Sequence, residues 1–329
     1  MKPSRILPLC AFLLPAGGCS GVQSALQPSG REAAEIGGLF WTVTGLSAFV
    51  TLLVILLLVV ALWGPRSWRR QLGREWIIFA GGIVFPVVTL SLLLGYGLFV
   101  LQAGYSRSGG QDTPDITIEG ERWWWRVTYH GEAGTDVASA NELRLPVGQD
   151  VSVRLITDNV IHSFWVPRLA GKLDMIPGRS NVITLRATQA GVSRGQCAEY
   201  CGGAHALMSF YVVALDPADY ARWREDAAAP AREPQTAQER RGQRLFLDNG
   251  CGACHAIRGT EADGRIGPDL THLGSRRSLA AAALPNNPEA IARWIRDNQH
   301  IKPENLMPAF GQFSPDELDA LATYLWSLK

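Results

Sequence analysis

Two thiols, an imidazole and a thioether fall within a dozen residues in Cys197-Ala-Glu-Tyr-Cys201-Gly-Gly-Ala-His205-Ala-Leu-Met208. Thiolate and thioether sulfur together select copper, whereas zinc rarely uses methionine. A second imidazole stands far upstream, at His162 in Asn159-Val-Ile-His162-Ser-Phe-Trp-Val-Pro167. A mononuclear blue-copper site needs one Cys, two His and a weak Met, so the second thiol exceeds that recipe. It makes sense if two thiolates bridge two coppers. The alternative, a Cys197–Cys201 disulfide, is chemically allowed in an exported protein, but it leaves His205 and Met208 at ligand spacing by accident.

A second constellation lies downstream. Cys251-Gly-Ala-Cys254-His255 is the C-x-x-C-H pattern, in which both thiols form thioethers to haem and the histidine takes the iron. An electron-carrying cytochrome typically uses Met as its second axial ligand, which raises the potential. Met307, in Asn305-Leu-Met-Pro308, is the single methionine of this region. A redox disulfide of the C-x-x-C type would come with a thioredoxin-like βαβ pattern, which is missing here. His130, His272 and His300 have no partner at ligand spacing and are expected in loops or on the surface, although His300 could compete for the iron.

The elements that must position these residues differ along the chain. From Asp115 to about Asp216, short β-rich runs such as Ile116–Ile118, Trp125–Tyr129, Val151–Leu155 and Val182–Leu185 alternate with turn formers, predicting a Greek-key sandwich or barrel. Tyr220 to Gln235, rich in Ala, Pro and charge, reads as a linker. Thr236-Ala-Gln-Glu239 is a capping box opening a helix to about Asp248. Asn287-Pro288-Glu289 starts another helix, and Ser314-Pro315-Asp-Glu317 caps a last one. The stripe Leu318, Leu321, Leu325 and Leu328 on that last helix is expected to pack on the first.

The chain has 329 residues, enough for two or three domains, and a net charge of +1, which argues against a nucleic-acid partner. Its 47% hydrophobic content is concentrated in the first hundred residues. Lys2, Arg5, an apolar run from Ile6 to Leu14 and Pro15-Ala-Gly-Gly-Cys19 describe a secretory signal. Cys19 is then either a lipid acceptor or incidental to plain cleavage. Leu39–Trp63 and Trp76–Leu101 contain no charged residue, and each is long enough to cross a membrane. The first run holds 16 Leu, Ile, Val or Phe residues, which favour insertion by about 5 to 10 kcal/mol. Arg66, Arg69, Arg70 and Arg74 place the connecting loop in the cytoplasm, so both ends of the chain face outward. No nucleophile–base pair, phosphate loop or paired carboxylates suggest a bond-breaking site.

The stretch Ile156 to Trp223 resembles cytochrome c oxidase subunit II, carried by His162-Ser-Phe-Trp-Val-Pro, Asp174-Met-Ile-Pro-Gly-Arg179 and Gly195-Gln-Cys-Ala-Glu-Tyr-Cys-Gly. With Gly267-Pro-Asp-Leu270 similar to a class I cytochrome c loop, the whole is similar to a caa-type subunit II. The implied architecture is multidomain: a two-helix transmembrane hairpin, an all-β cupredoxin domain and an all-α cytochrome c domain. The implied boundaries are a signal peptide at 1–18, an N-terminal segment with the two spans at 19–110, the cupredoxin at 111–217, a linker at 218–235 and the cytochrome at 236–329.

The resemblance implies a CuA centre held by His162, Cys197, the Glu199 carbonyl, Cys201, His205 and Met208, and a covalent haem c on Cys251, Cys254, His255 and Met307. It also implies a Mg or Mn ion at the Glu199 carboxylate. Pro268 would help orient the haem histidine. Trp123 either receives electrons or simply packs. Asp158 and Asp174 either dock a partner or serve structure. Glu75 is an interfacial charge or opens a proton channel. Implied partners are subunit I (haem a, haem a3–CuB), subunit III, and a soluble cytochrome c or other periplasmic donor. The function would be delivery of electrons for reduction of O2 coupled to proton translocation. A nitric oxide reductase partner, or a stand-alone membrane electron carrier, are the alternatives.

Overall fold

The computed structural model describes residues 20–108, 114–131 and 135–329; the expected signal peptide and Cys19 lie outside them. Helix α1 (Arg31–Trp63) and a second helix over Glu75–Gln102 are long and apolar enough to cross a membrane. Between them α2 (Arg66–Leu72) carries Arg66, Arg69 and Arg70, and Arg74 stands just before the next helix. The second span is interrupted: α3 (Glu75–Phe79) passes into a π turn over Ala80–Val84 before α4 (Phe85–Ser108). The cause is Pro86, which has no N–H and crowds the carbonyl one turn back, so one turn widens to admit it. Glu75 sits in the first turn of α3, where the helix dipole favours an acid.

The segment before α1 is bound to the β domain. Ser29 and Gly30 donate to Arg168 O at 2.7 and 3.0 Å, and Glu32 accepts from Gly171 N at 3.2 Å. A Cβ on Gly30 would lie 2.3 Å from Leu169 O, so only glycine passes there.

Ten strands build that domain: β1 (Ile116–Glu121), β2 (Trp124–Tyr129), β3 (Val137–Ala140), β4 (Glu142–Pro146), β5 (Val151–Ile156), β6 (His162–Trp165), β7 (Leu173–Met175), β8 (Asn181–Leu185), β9 (Gly191–Cys197) and β10 (Ser209–Leu215). They form two five-stranded sheets ordered β3-β2-β1-β5-β8 and β4-β10-β9-β6-β7. The β1–β5 and β4–β10 pairs are parallel and the others antiparallel. This is the cupredoxin-like sandwich. Alternation along β1 and β2 turns Ile116, Ile118, Trp125, Val127 and Tyr129 inward.

The reading of 218–235 as a linker needs correction. Pro217–Ala228 is helix α5, because its Ala-rich, charged sequence hides one apolar face. Trp223 packs edge-on against Tyr129, ring centroids 4.9 Å apart, with the Arg144 guanidinium 5.0 Å from its own ring. The rest of the stretch is also held, with Ala231 N on Arg258 O at 2.8 Å and Arg232 paired with Glu239 at 2.9 Å.

Beyond it lie α6 (Ala237–Asp248), α7 (Pro288–Ile301) and α8 (Pro315–Ser327). Thr236 and Ser314 make full capping boxes with Glu239 and Glu317, and Asn287 caps α7 through Ala290 N. The leucine stripe of α8 is buried. Helix α6 meets α8 so closely that a Cβ on Gly242 would come 2.1 Å from Ala320 O. Gly242→Ala is therefore expected to cost about 1–3 kcal/mol by overpacking. Calorimetry should show the helical domain melting several degrees lower; an unchanged midpoint would mean the helices separate freely.

Candidate metal centre and haem cavity

Strand β9 ends at Cys197 and β10 begins at Ser209, so the residues between them form a loop at one end of the sandwich. Cys197 N donates to Met208 O at 2.9 Å and closes it. On the neighbouring β6, Phe164 lies opposite Cys197. That register brings His162, at the start of β6, to the loop. The ligand atoms of His162, Cys197 and Cys201 all lie within 4.8 Å of one another. Around Cys201 Sγ stand His205 Nδ1 at 3.4 Å and Met208 Sδ at 3.8 Å, while Glu199 O is 3.1 Å from Cys197 Sγ. The expected copper ligands thus occupy one cluster, and both its thiols are free.

Two buried thiols this close share their protons. The Cys201 thiol donates to Cys197 and, against burial and with help from backbone amides, holds the Cys197 thiol well below the usual thiol range. Cys201, which keeps the proton, is pushed up by that bond and by burial. With both thiols deprotonated, the cluster would offer two thiolates, two imidazoles and a thioether. That donor set fits copper.

Asn159 escaped the sequence reading, having no motif of its own. Its Oδ1 accepts from Val160 N at 2.8 Å, which identifies the oxygen, and lies 3.0 Å from His162 Nε2. Nε2 therefore carries the ring proton, and Nδ1 offers its lone pair to the cluster. Gly120 leaves room for the ring, since a Cβ there would lie 2.8 Å from His162 Cδ2. Asp174 accepts from Ser163 Oγ at 2.7 Å, joining β7 to β6, and this bond keeps its carboxyl below the usual range. Asp158 is exposed and the Glu199 side chain half-buried. Asn159→Ala is expected to weaken copper binding about 10- to 100-fold, read by competition against a chelator of known affinity.

The three consecutive tryptophans face three environments. Trp125 enters the sandwich core, its ring 5.0 Å from Phe210 and 6.3 Å from His162. Trp124 is half-buried, with the Arg126 guanidinium 4.7 Å from its ring. Trp123 is buried and donates from Nε1 to Cys201 O at 2.8 Å.

Trp123 and Trp124 also line an apolar cavity of about 310 Å³ between the sandwich and the helical domain, together with Phe246, Cys251, Cys254, His255, Met307, Phe310, Leu321 and Leu325. His255 Nδ1 lies 2.8 Å from Pro268 O. A carbonyl only accepts, so Nδ1 carries the proton and Nε2 is left for a metal. Burial lowers the His255 pKa, so the ring is neutral at pH 7. A Cβ on Gly267 would lie 2.5 Å from His255 Cε1, so the loop passes the ring only as glycine. Free thiols beside an oriented histidine, an apolar lining and a methionine all fit haem c.

The Met307 loop is held by amides that carry no sequence signature. Asn298, wholly buried, donates to Pro308 O at 3.0 Å; Gln299 donates to Asn305 O and Met307 O at 2.9 and 3.0 Å; Met307 N donates to Asn305 Oδ1 at 3.0 Å. His300 is turned outward, its side chain 87% exposed and paired with Asp297 at 2.5 Å, which removes it as a competitor for the cavity. His272 bonds Ala229 O, and His130 sits between Thr117 and Asp136. Asn298→Ala leaves buried carbonyl and amide groups unpaired, at a cost of about 1–3 kcal/mol. The expected result is a lower unfolding midpoint together with a fall in haem potential, measured by redox titration, as Met307 loosens.

Residues 133–215 match the family "Cytochrome C oxidase subunit II, periplasmic domain", and residues 239–329 match "Cytochrome c". The chain is 34% identical to cytochrome c oxidase subunit 2 of Alkalihalophilus pseudofirmus, over 99% of this chain and 97% of that one. It is 30% identical to cytochrome c oxidase subunit 2 of Bacillus sp. (strain PS3), over 75% of this chain and 72% of that one. Among solved structures, the periplasmic domain of subunit II of cytochrome oxidase of Bradyrhizobium japonicum is 31% identical, covering 35% of this chain and 94% of that chain with a TM-score of 0.32.

Proposed function

Because the chain belongs to the cytochrome c oxidase subunit II family and ends in a cytochrome c domain, we propose that it carries electrons from an outside donor into subunit I of a respiratory haem-copper oxidase. When bound, the two groups supply reversible one-electron storage, haem c on the donor side and CuA on the side of haem a in subunit I. Cys251, Cys254, His255 and Met307 would hold the haem. Cys197, Cys201, His162, His205, Met208 and the Glu199 carbonyl would hold the copper centre. Soft donors held by a rigid shell limit rearrangement between oxidation states. O2 reduction and proton translocation belong to subunit I.

The observation that carries the proposal is the place of Trp123. Its indole lines the haem cavity and donates to the Cys201 carbonyl, so one side chain spans both sites. Because Trp123 is buried under the chain's own cytochrome domain, a soluble cytochrome c or other periplasmic donor gives its electron to the haem and not to Trp123 directly. Direct bonds between the two domains hold donor and acceptor together without a diffusional encounter. The Glu199 carboxylate is offered to Mg or Mn at the border with subunit I, with subunit III alongside. The two spans hold the chain in the bacterial cell membrane with both redox domains outside and, after export, Cys19 available for acylation. Glu75 serves as an interfacial charge.

EPR of the purified complex tests the copper assignment. One unpaired electron with hyperfine coupling to two copper nuclei is expected, and Cys201→Ser should abolish that pattern while leaving the haem c spectrum intact. A mononuclear copper signal in the unmodified protein would overturn the assignment. Oxygen consumption faster than nitric oxide consumption by the same complex is expected and identifies the acceptor.

A further inference from the structure

The helical domain reaches into the sandwich with one buried cation. Lys302 is 3% exposed, and its Nζ lies 2.5 Å from Trp123 O, 3.0 Å from Leu207 O and 3.1 Å from Ala280 O. An ammonium has three N–H donors and no acceptor, so these carbonyls use all of them. A neutral amine would turn its lone pair on one of the oxygens. Two of the acceptors belong to the sandwich: one is the Trp123 peptide, the other immediately precedes Met208.

The third acceptor lies in a turn where Ala280, Ala281 and Ala282 all take left-handed φ, at 53°, 60° and 62°. L-residues adopt that conformation at a cost, and keep it where the surroundings over-determine it. The same turn gives Ala281 O to Ser209 N at 3.1 Å. Close by, Glu304 lies against Gly203, where a Cβ would come 2.8 Å from its Oε2. The short stretch leading to Met307 thus also grips the loop between Cys201 and Met208. Burial lowers the Lys302 pKa, to about 7, while the attraction of Cys201 opposes that shift.

We propose that Lys302 is a positioning residue for electron transfer between the two sites: its ammonium docks the haem domain on the Trp123 peptide and brings a positive charge to the copper loop. The proposal rests on the reading that these sites hold haem c and CuA. One electron moves; the haem iron is oxidised and the copper pair reduced. A cation beside the thiolates favours the reduced pair, so the contact that sets the distance also sets the direction.

The test uses the purified oxidase complex carrying Lys302→Met, with both centres loaded and spectrally intact. Haem-to-copper transfer after flash reduction should slow by at least about tenfold. The equilibrium should shift about tenfold toward reduced haem, corresponding to about 59 mV in the copper potential. Lys302→Arg, which keeps charge and donors, should recover most of both. Unchanged transfer and potential in a loaded Met variant would overturn the proposal, whereas absence of the two-copper EPR pattern from the unmodified complex would overturn the reading beneath it. If the Met variant does not assemble, amine acylation of the unmodified complex decides: Lys302 should stay protected while exposed Lys172 and Lys329 react. Acylation of Lys302 at their rate would overturn the docking.

Discussion

A buried thiol pair with two imidazoles and a thioether holds together only if the backbone forces it, because polar donors taken out of water without a partner are costly. Here the force is strand register. Pairing of Phe164 with Cys197 sets β6 beside β9, and the Cys197–Met208 backbone bond closes the loop that carries the remaining donors. Small residues make the register possible. A Cβ on Gly195 would meet the Phe210 ring at 2.2 Å, and one on Gly120 would meet His162. The geometry of the cluster is therefore set by the backbone around it.

The same logic, that of a donor fixed by its neighbour, recurs around every ligand nitrogen whose tautomer the structure defines. Asn159 orients His162, and the Pro268 carbonyl orients His255. Around Met307 the shell is made of Asn298, Gln299 and Asn305, whose amides stitch an irregular loop with no regular secondary structure of its own. These outer partners set which ring nitrogen each candidate histidine leaves open and hold the Met307 loop in place.

The two domains also share their boundary. The haem cavity is completed by Trp123 and Trp124 of the sandwich, and the sandwich receives backbone and side-chain bonds from the helical domain at Ser209, Glu142 and Trp123. With α5 packed on Tyr129, the connection is a strut over most of its length. A packed interface therefore joins the two candidate sites in place of a mobile tether.

Read alone, the sequence determined the features that depend on local chemistry. Apolar length defined the two spans, capping boxes at Thr236 and Ser314 defined helix starts, and ligand types at fixed spacing named both cofactors. Each of these is written within a few consecutive residues, and that is why they were legible. Tertiary structure decided what depends on residues far apart in the chain. It brought His162 to Cys197, gave Asn159 and Asn298 their tasks, turned His300 outward, made a helix of Pro217–Ala228, and buried Lys302 among three carbonyls. A lone asparagine or lysine has no pattern to betray it, because its role is set by which backbone groups it meets after folding. A linker-like composition becomes a helix only once Tyr129 offers Trp223 a surface to cover.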